Sequence, residues 1–252
     1  MPWRNDTRPY YILVSELMLQ QTQVQRVIPK FQEFIIKFPD EEKLAAANLS
    51  DVVAVWQGLG YNRRARYMQA AASMIMTDFR GTFPGDSEVL QRLPGVGHHT
   101  AGAIAAYAFN RPAIFVETNI RTVYIHHYFS ETVDTVSDRQ IIEVLERTLD
   151  RERPRQFYWS LMDYGSWLKQ QGIRTTSRQH GYRPQTPFQG SVRQVRGAIL
   201  RHLAKQHYSY RDLTISLGQE SLDHQHSDAA LRGLVRDGLI WQDDNGQFRL
   251  TD

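Results

Sequence analysis

The sequence contains no cysteine in its 252 residues. This absence excludes disulfides, zinc sites built on thiolates and cysteine-bound iron–sulfur clusters. The sequence also lacks a run of 18 apolar residues that could form a membrane-spanning helix. Residues 1–6 lack the apolar core of a signal peptide. We therefore expect a cytoplasmic protein without a membrane partner.

Histidine spacing gives no sign of a metal site either. His98-His99 and His126-His127 are adjacent pairs, so the members of each pair point to different faces of a helix. Neither pair has the i, i+4 spacing of helical metal ligands. We predict no bound metal from these residues.

Acidic residues are scarce in one block of the chain. Residues 151–201 carry 10 basic and 2 acidic side chains, whereas residues 1–150 carry 15 and 17, and residues 202–252 carry 5 and 8. Arginine supplies 25 of the 30 basic residues, which suits bidentate phosphate contacts. The block indicates a polyphosphate partner such as nucleic acid, with a solvated surface as the alternative.

Apolar spacing predicts helices through most of the first 170 residues. They cover residues 10–27, 51–56, 62–79, 87–93, 98–110, 117–129, 137–149 and 154–168. Polar residues 172–190 are interpreted as a basic linker. Three short helices (192–205, 210–217, 227–236) and a hairpin over 240–250 follow, with a type I′ turn predicted at Asn245-Gly246. We predict a mostly α fold, with a helical domain over residues 1–171 and a winged-helix-like α+β domain over 191–252.

The segment Leu93-Pro94-Gly95-Val96-Gly97 connects two of these helices. Its glycines allow consecutive backbone N–H groups to point to one place, and the helix starting at His98 adds its positive end. This combination favours an anion such as a phosphodiester. Taken alone, the segment could also be a plain helix connector.

Three further segments carry candidate chemistry. Glu16 lies among leucines in a helix, where partial burial would raise its pKa and suit a general acid. Leu59 and Tyr61 follow glycines just before Arg63, and a protruding wedge beside cations suits DNA unstacking. Glu117 begins another helix. The alternative is a solvated glutamate at Glu16, a capped turn at Leu59 and Tyr61, and a helix cap at Glu117.

These segments closely resemble the helix–hairpin–helix (HhH-GPD) superfamily of DNA glycosylases, and within it the MutY adenine glycosylase branch. The resemblance runs from residue 1 to about residue 165. It includes Pro2-Trp3-Arg4, the specific string Met18-Leu19-Gln20-Gln21-Thr22-Gln23-Val24, the hairpin with Thr100-Ala101-Gly102, and Met162-Asp163-Tyr164-Gly165. It implies a two-lobed helical fold that flips a nucleotide out of double-stranded DNA.

The resemblance also implies residue roles. Glu16 matches the acid that protonates the departing adenine, Glu117 the carboxylate that stabilises the sugar, and Asn119 the asparagine beside it. His99 supports the pocket at the position where bifunctional relatives carry a lysine. No lysine occurs between Lys43 and Lys169, so we expect a monofunctional enzyme. The implied DNA contacts are Gln20, Gln21, Thr22, Leu59, Gly60, Tyr61, Arg63, Gly95, Val96, Gly97 and His98.

The sequence departs from the MutY pattern at three places. Glu117 is one methylene longer than the family's aspartate, and Thr118 replaces a glycine. The four cluster cysteines are missing, so we expect a clusterless member without a cofactor, in which basic residues 174–183 could replace the cluster loop. No Nudix-like domain is evident at the C-terminal end. The hairpin could still hold a structural cation.

We predict a monofunctional, monomeric DNA glycosylase of base excision repair, associated with the nucleoid. Its reaction would be hydrolysis of the N-glycosidic bond of adenine opposite 8-oxoguanine or guanine. A mismatch glycosylase acting on thymine or uracil is one alternative. A catalytically silent protein that binds DNA lesions is the other.

Overall fold

The computed structural model describes every residue except 132–133, 181–186, 221 and 223–225. The chain forms two compact units. Unit one comprises Met1–Asn5, Leu13–Phe83 and Gln185–Asp252, and unit two comprises Asp6–Ile12 and Pro84–Pro184. The predicted domain boundaries at residues 171 and 191 stay predictions, and residues 181–186 of the predicted linker lie outside the described residues.

Fourteen α-helices, one short 3-10 helix (Thr176–Arg178) and three strands make up the regular secondary structure of the described residues. In chain order the helices are α1 (Pro2–Asn5), α2 (Pro9–Leu19), α3 (Val24–Lys37), α4 (Glu41–Ala45), α5 (Leu49–Trp56), α6 (Arg63–Thr77), α7 (Ser87–Leu90), α8 (His98–Phe109), α9 (Thr118–Tyr128), α10 (Asp138–Thr148), α11 (Pro154–Gln170), α12 (Val192–Leu203), α13 (Tyr210–Gln219) and α14 (Ser227–Arg236). The strands are β1 (Tyr208–Ser209), β2 (Ile240–Gln242) and β3 (Gln247–Leu250). Within this described part, no helix has the length and apolar character needed to cross a membrane.

Two helices replace the single helix predicted over residues 10–27. Helix α2 ends at Leu19 and α3 begins at Val24, with Gln21 in left-handed backbone at φ +54°. Carbonyl groups at the end of α2 accept hydrogen bonds from the Arg64 guanidinium. These bonds satisfy acceptors that a further helical turn would otherwise use.

The core of unit one is built on α3, α5 and α6. Pro29 lies just beyond the helix predicted over residues 10–27, where a proline would be expected to end it, but in the structure it lies inside α3. The buried face of α3 outweighs the missing proline N–H, because Phe31 packs edge-on against Trp3 at 5.2 Å and Phe34 packs against Trp56 at 6.4 Å.

The core of unit two is built on α8, α9 and α11. Helix α8 is buried from Ala101 to Tyr107, and its small residues allow close packing. At Gly102 an added Cβ would overlap Phe115, whose ring stacks on Tyr158 at 4.2 Å. The small residue Gly102 therefore sets how closely α8, the helix that follows the hairpin, packs against Phe115.

The C-terminal residues form three helices and a small antiparallel sheet with strand order β1-β3-β2. The assignment of this module as winged-helix-like stays a prediction. The type I′ turn prediction is wrong, since only Gly246 of the Asn245-Gly246 pair has positive φ. The Asp243 carboxylate accepts hydrogen bonds from the N–H groups of Asn245 and Gln247, and this favours a different turn.

Candidate active site

Glu117 lies at the N-terminal end of α9 in unit two. Its Oε1 atom accepts hydrogen bonds from the backbone N–H groups of Asn119, at 2.7 Å, and Ile120, at 3.2 Å. Burial raises the pKa of Glu117, while these N–H groups, Lys169 and Arg121 oppose the rise without cancelling it. Glu117 is therefore both a helix cap and a partly desolvated carboxylate.

The side chain of Asn119 is held by the C-terminal end of α11. The Lys169 Nζ atom donates a hydrogen bond to Asn119 Oδ1 at 2.7 Å. One turn earlier, Gly165 lets the backbone of α11 lie directly against Asn119, because an added Cβ would overlap the Asn119 backbone. Burial lowers the pKa of Lys169, although the charge of Glu117 acts in the opposite direction. The Lys169 ammonium group thus binds the Asn119 amide and also lies close enough to affect the pKa of Glu117.

Lys169 was not among the predicted site residues, because it was counted only within the basic block of residues 151–201. Spacing could have identified it. Gly165 and Lys169 are four residues apart, so they lie on one face of α11, and Gly165 belongs to a segment already singled out.

The ring of His99 contacts the backbone just before Glu117. The N–H of Val116 lies 3.3 Å from His99 Nδ1 and donates to it, so a neutral ring carries its proton on Nε2. Burial lowers the pKa of His99, which favours that neutral form at pH 7. The structure thus brings the predicted residues Glu117, Asn119 and His99 together in unit two.

The hairpin of residues 93–97 joins α7 to α8. Gly95 has φ +79°, and the N–H of Val96 bonds to the carbonyl of Leu93 at 3.1 Å. Gly97 is the N-cap of α8 and, as a glycine, has no side chain with which to cap the first turn. Because Gly97 and His98 are exposed, this helix end is accessible to an anion.

Arg64 is the buried centre of a second cluster, in unit one. Its side chain is only 5% exposed, and burial lowers its pKa to about 10, so it stays charged at neutral pH. The guanidinium ties together a first loop (residues 20–23) and a second loop (residues 57–62). It donates hydrogen bonds of 2.6–3.2 Å to the carbonyls of Leu17, Met18, Gln20, Leu59 and Gly60 and to the hydroxyl of Thr22.

The second loop differs from the prediction at Leu59. This side chain is 4% exposed, so the prediction that it protrudes is wrong. Arg64 holds the Leu59 carbonyl inward, and the side chain packs into unit one. Gln21 is exposed and Tyr61 partly exposed, and both have left-handed backbone, at φ +54° and +47°. In the second loop the Tyr61 side chain is therefore accessible, whereas the Leu59 side chain is not.

Glu16 lies on α2 in unit one between two buried side chains, Ser15 and Leu17. The Glu16 side chain itself is partly exposed. This placement combines buried neighbours with solvent access, which suits a general acid.

Arg63, predicted to contact DNA, forms an ion pair with Asp237 from the C-terminal residues. The distance from Arg63 Nη2 to Asp237 Oδ1 is 2.6 Å, and Arg196 Nη2 lies 2.6 Å from Oδ2. Burial acts to raise the pKa of Asp237, but the two arginines outweigh it and hold that pKa below its ordinary value. The charge of Arg63 is thus already paired within unit one, which the sequence did not indicate.

Comparison with known proteins gives the family. Residues 14–147 match the model of the HhH-GPD superfamily base excision DNA repair proteins. The chain belongs to this superfamily. The predictions of the family and of a mostly helical HhH-GPD fold are therefore confirmed.

Several relatives of this HhH-GPD protein are named adenine DNA glycosylase. The one from Mycobacterium tuberculosis (strain ATCC 25618 / H37Rv) is 31% identical over 269 aligned positions, covering 99% of this chain and 88% of the relative. The one from Buchnera aphidicola subsp. Baizongia pistaciae is 35% identical over 172 residues, covering 67% and 48%. The chain thus spans about half the length of the Buchnera relative and most of the mycobacterial one.

Among solved structures, a thermostable thymine-DNA glycosylase has a TM-score of 0.60 and 27% identity, covering 66% of this chain and 77% of that chain. A non-covalent endonuclease III–DNA complex has a TM-score of 0.57 and 24% identity, covering 64% and 74%. The second likeness concerns the fold alone.

An iron–sulfur cluster of the MutY kind does not fit this HhH-GPD protein, because the chain has no cysteine to ligate iron. In the described ranges, no three histidine or carboxylate side chains gather as metal ligands. Of the basic residues proposed to replace the cluster loop, Arg174 donates to the Lys169 carbonyl at 2.9 Å, and Arg183 lies outside the described residues.

Proposed function

We propose that this HhH-GPD DNA glycosylase hydrolyses the N-glycosidic bond of a mispaired adenine, opposite 8-oxoguanine or guanine. The nucleotide is flipped out of double-stranded DNA before cleavage. The printed names of the mycobacterial and Buchnera relatives support adenine as the excised base. The observation that carries the proposal is the partly buried Glu117 carboxylate, held by two backbone N–H groups.

The chemistry of bond cleavage suits this carboxylate. When the glycosidic bond breaks, its electron pair leaves with the base and positive charge develops on the sugar. A fixed carboxylate stabilises that charge without having to reorganise. Lys169 and Arg121 lower the pKa of Glu117 and so favour its ionised form. Burial still leaves the pKa of Glu117 raised, and the proposal requires that Glu117 react in its ionised form, as an anion at the point where a cation forms.

Glu16 completes the reaction as the general acid. Its proton passes to the departing adenine, so the base leaves as a neutral molecule. Water adds its oxygen to C1′ of the sugar and releases one proton, which balances the proton that Glu16 gave up. No redox step occurs, and we propose that a monomer performs the reaction without a resident cofactor.

DNA contacts are assigned to three segments. The hairpin from Gly95 to His98 receives a backbone phosphate at the start of α8. The first and second loops, held by Arg64, enter the duplex with Gln21 and Tyr61 among their accessible side chains. The hairpin thus positions the protein on the DNA backbone, and the two loops contact the bases.

Excision of thymine or uracil opposite guanine is the second candidate. It is favoured by the likeness to a thymine-DNA glycosylase at 27% identity. A silent lesion-binding protein is the third, favoured by the longer carboxylate at Glu117.

Single-turnover base release across a panel of duplexes tests the three candidates. The panel holds adenine, thymine or uracil opposite guanine, and adenine opposite 8-oxoguanine. We expect adenine release in both contexts, and a loss of about 100-fold or more in Glu16→Gln. Release of thymine or uracil alone supports the second candidate. Tight binding without any product supports the third.

A further inference from the structure

Two sequence features of unit two have no role in the proposed reaction. The first is the part of the basic block that lies in this unit, residues 151–184, which carries seven basic and two acidic side chains. The second is Tyr164, which directly precedes the glycine that packs against Asn119. Both belong to α11 or to the chain that follows it, so we searched this region for a further site.

The side chains of His127, Tyr164 and Trp167 form a stack of three rings, here called the aromatic ladder. The ring centres of His127 and Tyr164 lie 5.5 Å apart at an interplanar angle of 22°. Those of Tyr164 and Trp167 lie 5.7 Å apart at 16°. His127 belongs to α9, whereas the other two are three positions apart on one face of α11. The ladder therefore joins two helices through nearly parallel rings.

A hydrogen bond fixes one end of the ladder. His127 Nε2 and Tyr164 Oη lie 2.7 Å apart, in addition to the stacking of their rings. The Tyr164 ring is thereby held in one orientation, and Trp167 stacks on it. Because these rings are already ordered, a ligand that stacks on them costs little further side-chain entropy.

The ladder is exposed to solvent, although large aromatic rings are usually buried. The exposed fraction is 37% for Tyr164 and 51% for Trp167, and His127 is also exposed. Among the residues that the structure describes, Trp167 stacks on Tyr164 alone. One face of the indole is therefore covered, and the other is accessible to a further flat ring. Exposed aromatic groups of this kind mark interaction sites.

Two guanidinium groups lie near the ends of the ladder. Arg174 is exposed and donates a hydrogen bond of 2.9 Å to the carbonyl of Lys169, two positions after Trp167. Arg178 donates to the carbonyl of Phe129, two positions after His127. A carbonyl carries no net charge, so the bond of Arg174 does not neutralise it. The surroundings of the ladder thus favour an anionic ligand.

An unpaired strand of DNA combines the two properties that these groups recognise. Every base presents a flat π face, and aromatic rings beside cations are the usual elements of single-strand sites. Bases inside a duplex are covered on both faces by their neighbours, so only an unpaired base can stack on Trp167. The one carboxylate of α11, Asp163, lies one turn before Trp167 and places the phosphates of the strand on the side of Arg174.

We propose that the aromatic ladder is a binding site for single-stranded DNA, in which a base stacks on Trp167 and Arg174 contacts a phosphate. The site uses none of the residues assigned to the reaction or to the duplex. Trp167 and Lys169 are two positions apart and so lie on different sides of α11, and Lys169 is the one that binds Asn119. The inference therefore goes beyond the proposed function and does not depend on it.

Binding of oligothymidylate tests the proposal. The full chain is titrated against a fluorescein-labelled strand of about ten thymidines, within the usual size of single-strand sites. Anisotropy reports binding. An excess of unlabelled duplex carrying tetrahydrofuran, a stable abasic analogue, occupies the segments assigned to duplex DNA. A thermal melt confirms that each variant is folded.

Trp167→Ala should weaken binding about tenfold, which is the typical effect of removing one stacked ring. Trp167→Phe keeps a ring and should stay within about threefold of the wild type. The matched control is Trp241→Ala. Trp241 is 46% exposed and lies in unit one beside Arg249, so its removal should leave the affinity unchanged.

The salt dependence separates stacking from charge. Arg174→Gln should lower the slope of log affinity against log salt by about 0.7, because one phosphate contact is lost. Trp167→Ala should leave the slope unchanged, since stacking releases no counterions. Arg139→Gln, an exposed residue of α10 paired with Glu143, is the control and should change neither affinity nor slope.

The proposal is overturned if the wild type does not bind the strand, or if excess duplex displaces it. It is also overturned if Trp167→Ala binds like the wild type, or if Trp167→Phe is as weak as Trp167→Ala.

Base release distinguishes this failure from a failure of the proposed function. Trp167→Ala should release adenine at the wild-type rate, because its ring stacks on Tyr164 and is not assigned to the reaction. A wild type that releases adenine without binding the strand contradicts only the ladder. A wild type that binds the strand through Trp167 but releases no base contradicts only the proposed function.

Discussion

Each of the two units holds a buried charge, and the groups that surround these two charges are of different kinds. In unit two, the Glu117 carboxylate is held by N–H donors and lies near the cations Lys169 and Arg121. In unit one, the Arg64 guanidinium is held by carbonyl groups, and no carboxylate contributes to its pKa.

We assign Glu117 a role in the reaction, whereas Arg64 supports the shape of the two loops. Glu117 has N–H groups and cations that oppose the rise in its pKa, and the residue is partly exposed, so it can act on a substrate. Arg64 uses its donors on loop carbonyls and is closed off from solvent, so it acts on the shape of the two loops. A buried ion is therefore not by itself evidence of catalysis.

Replacing Arg64 should have the largest effect on stability. Arg64→Met leaves a set of loop carbonyls without donors, each costly to bury, so we expect a loss of about 3–5 kcal/mol in the free energy of unfolding. Chemical denaturation measures it.

Arg26→Met is the matched control. Arg26 is exposed and makes one bond to the same loop, at Gly58, so its loss should cost less than about 1 kcal/mol. Equal effects of the two substitutions would show that Arg64 has no special role in holding the loops.

Asp237 in unit one is a third buried charge, an anion whose role is structural. Asp237→Asn removes the partner of Arg196, which is mostly buried, and should cost about 1–3 kcal/mol. Because the pKa of Asp237 is lowered, its contribution is present above the ordinary aspartate pKa and is lost as pH falls through the lowered value.

Denaturation at pH 7 and at about pH 3.5 checks both parts of this prediction. The difference between wild type and Asp237→Asn should shrink at the lower pH. The control is Asp51→Asn, an exposed partner of Lys37, which should show little difference at either pH. A difference that grows in acid would contradict the assigned pKa direction.

Lys169 has the smallest expected effect, and it acts through Glu117. Its charge lowers the pKa of Glu117, so Lys169→Gln should raise that pKa. Activity that requires ionised Glu117 is lost as pH falls through its pKa, so the acidic limb of the rate profile should move to higher pH. Each unit of movement lowers the rate on that limb about tenfold.

The readout for Lys169 is the single-turnover rate of base release between pH 5 and 8. Lys205→Gln, an exposed lysine in unit one, should leave the profile unchanged. A lower rate with an unmoved limb would assign Lys169 only to the positioning of Asn119.

Local patterns predicted much of this molecule. Glycine and proline spacing located the hairpin before α8, and apolar periodicity located α5, α6, α9 and α10 close to their observed bounds. These features depend on neighbours in sequence, so the sequence carries their signal.

The failed helix prediction over residues 10–27 depends on a contact between distant residues, whereas the turn at Asn245-Gly246 and the burial of Leu59 depend on residues nearby in sequence. The predicted helix over residues 10–27 breaks because Arg64, more than 40 residues away, binds the carbonyls at the end of α2. The same guanidinium turns Leu59 inward. Likewise, the contact between Arg193 and Tyr61 joins residues 132 positions apart, and no local pattern encodes it.

The most direct test of the central claim, that Glu117 stabilises positive charge on the sugar, compares two duplexes. One carries a cationic pyrrolidine in place of the target deoxyribose, and the other carries neutral tetrahydrofuran. The wild type should bind the cationic duplex about 100-fold more tightly, as a transition-state mimic, and Glu117→Gln should bring the two affinities to within about threefold. An equal preference in the wild type and in Glu117→Gln would contradict the role assigned to Glu117.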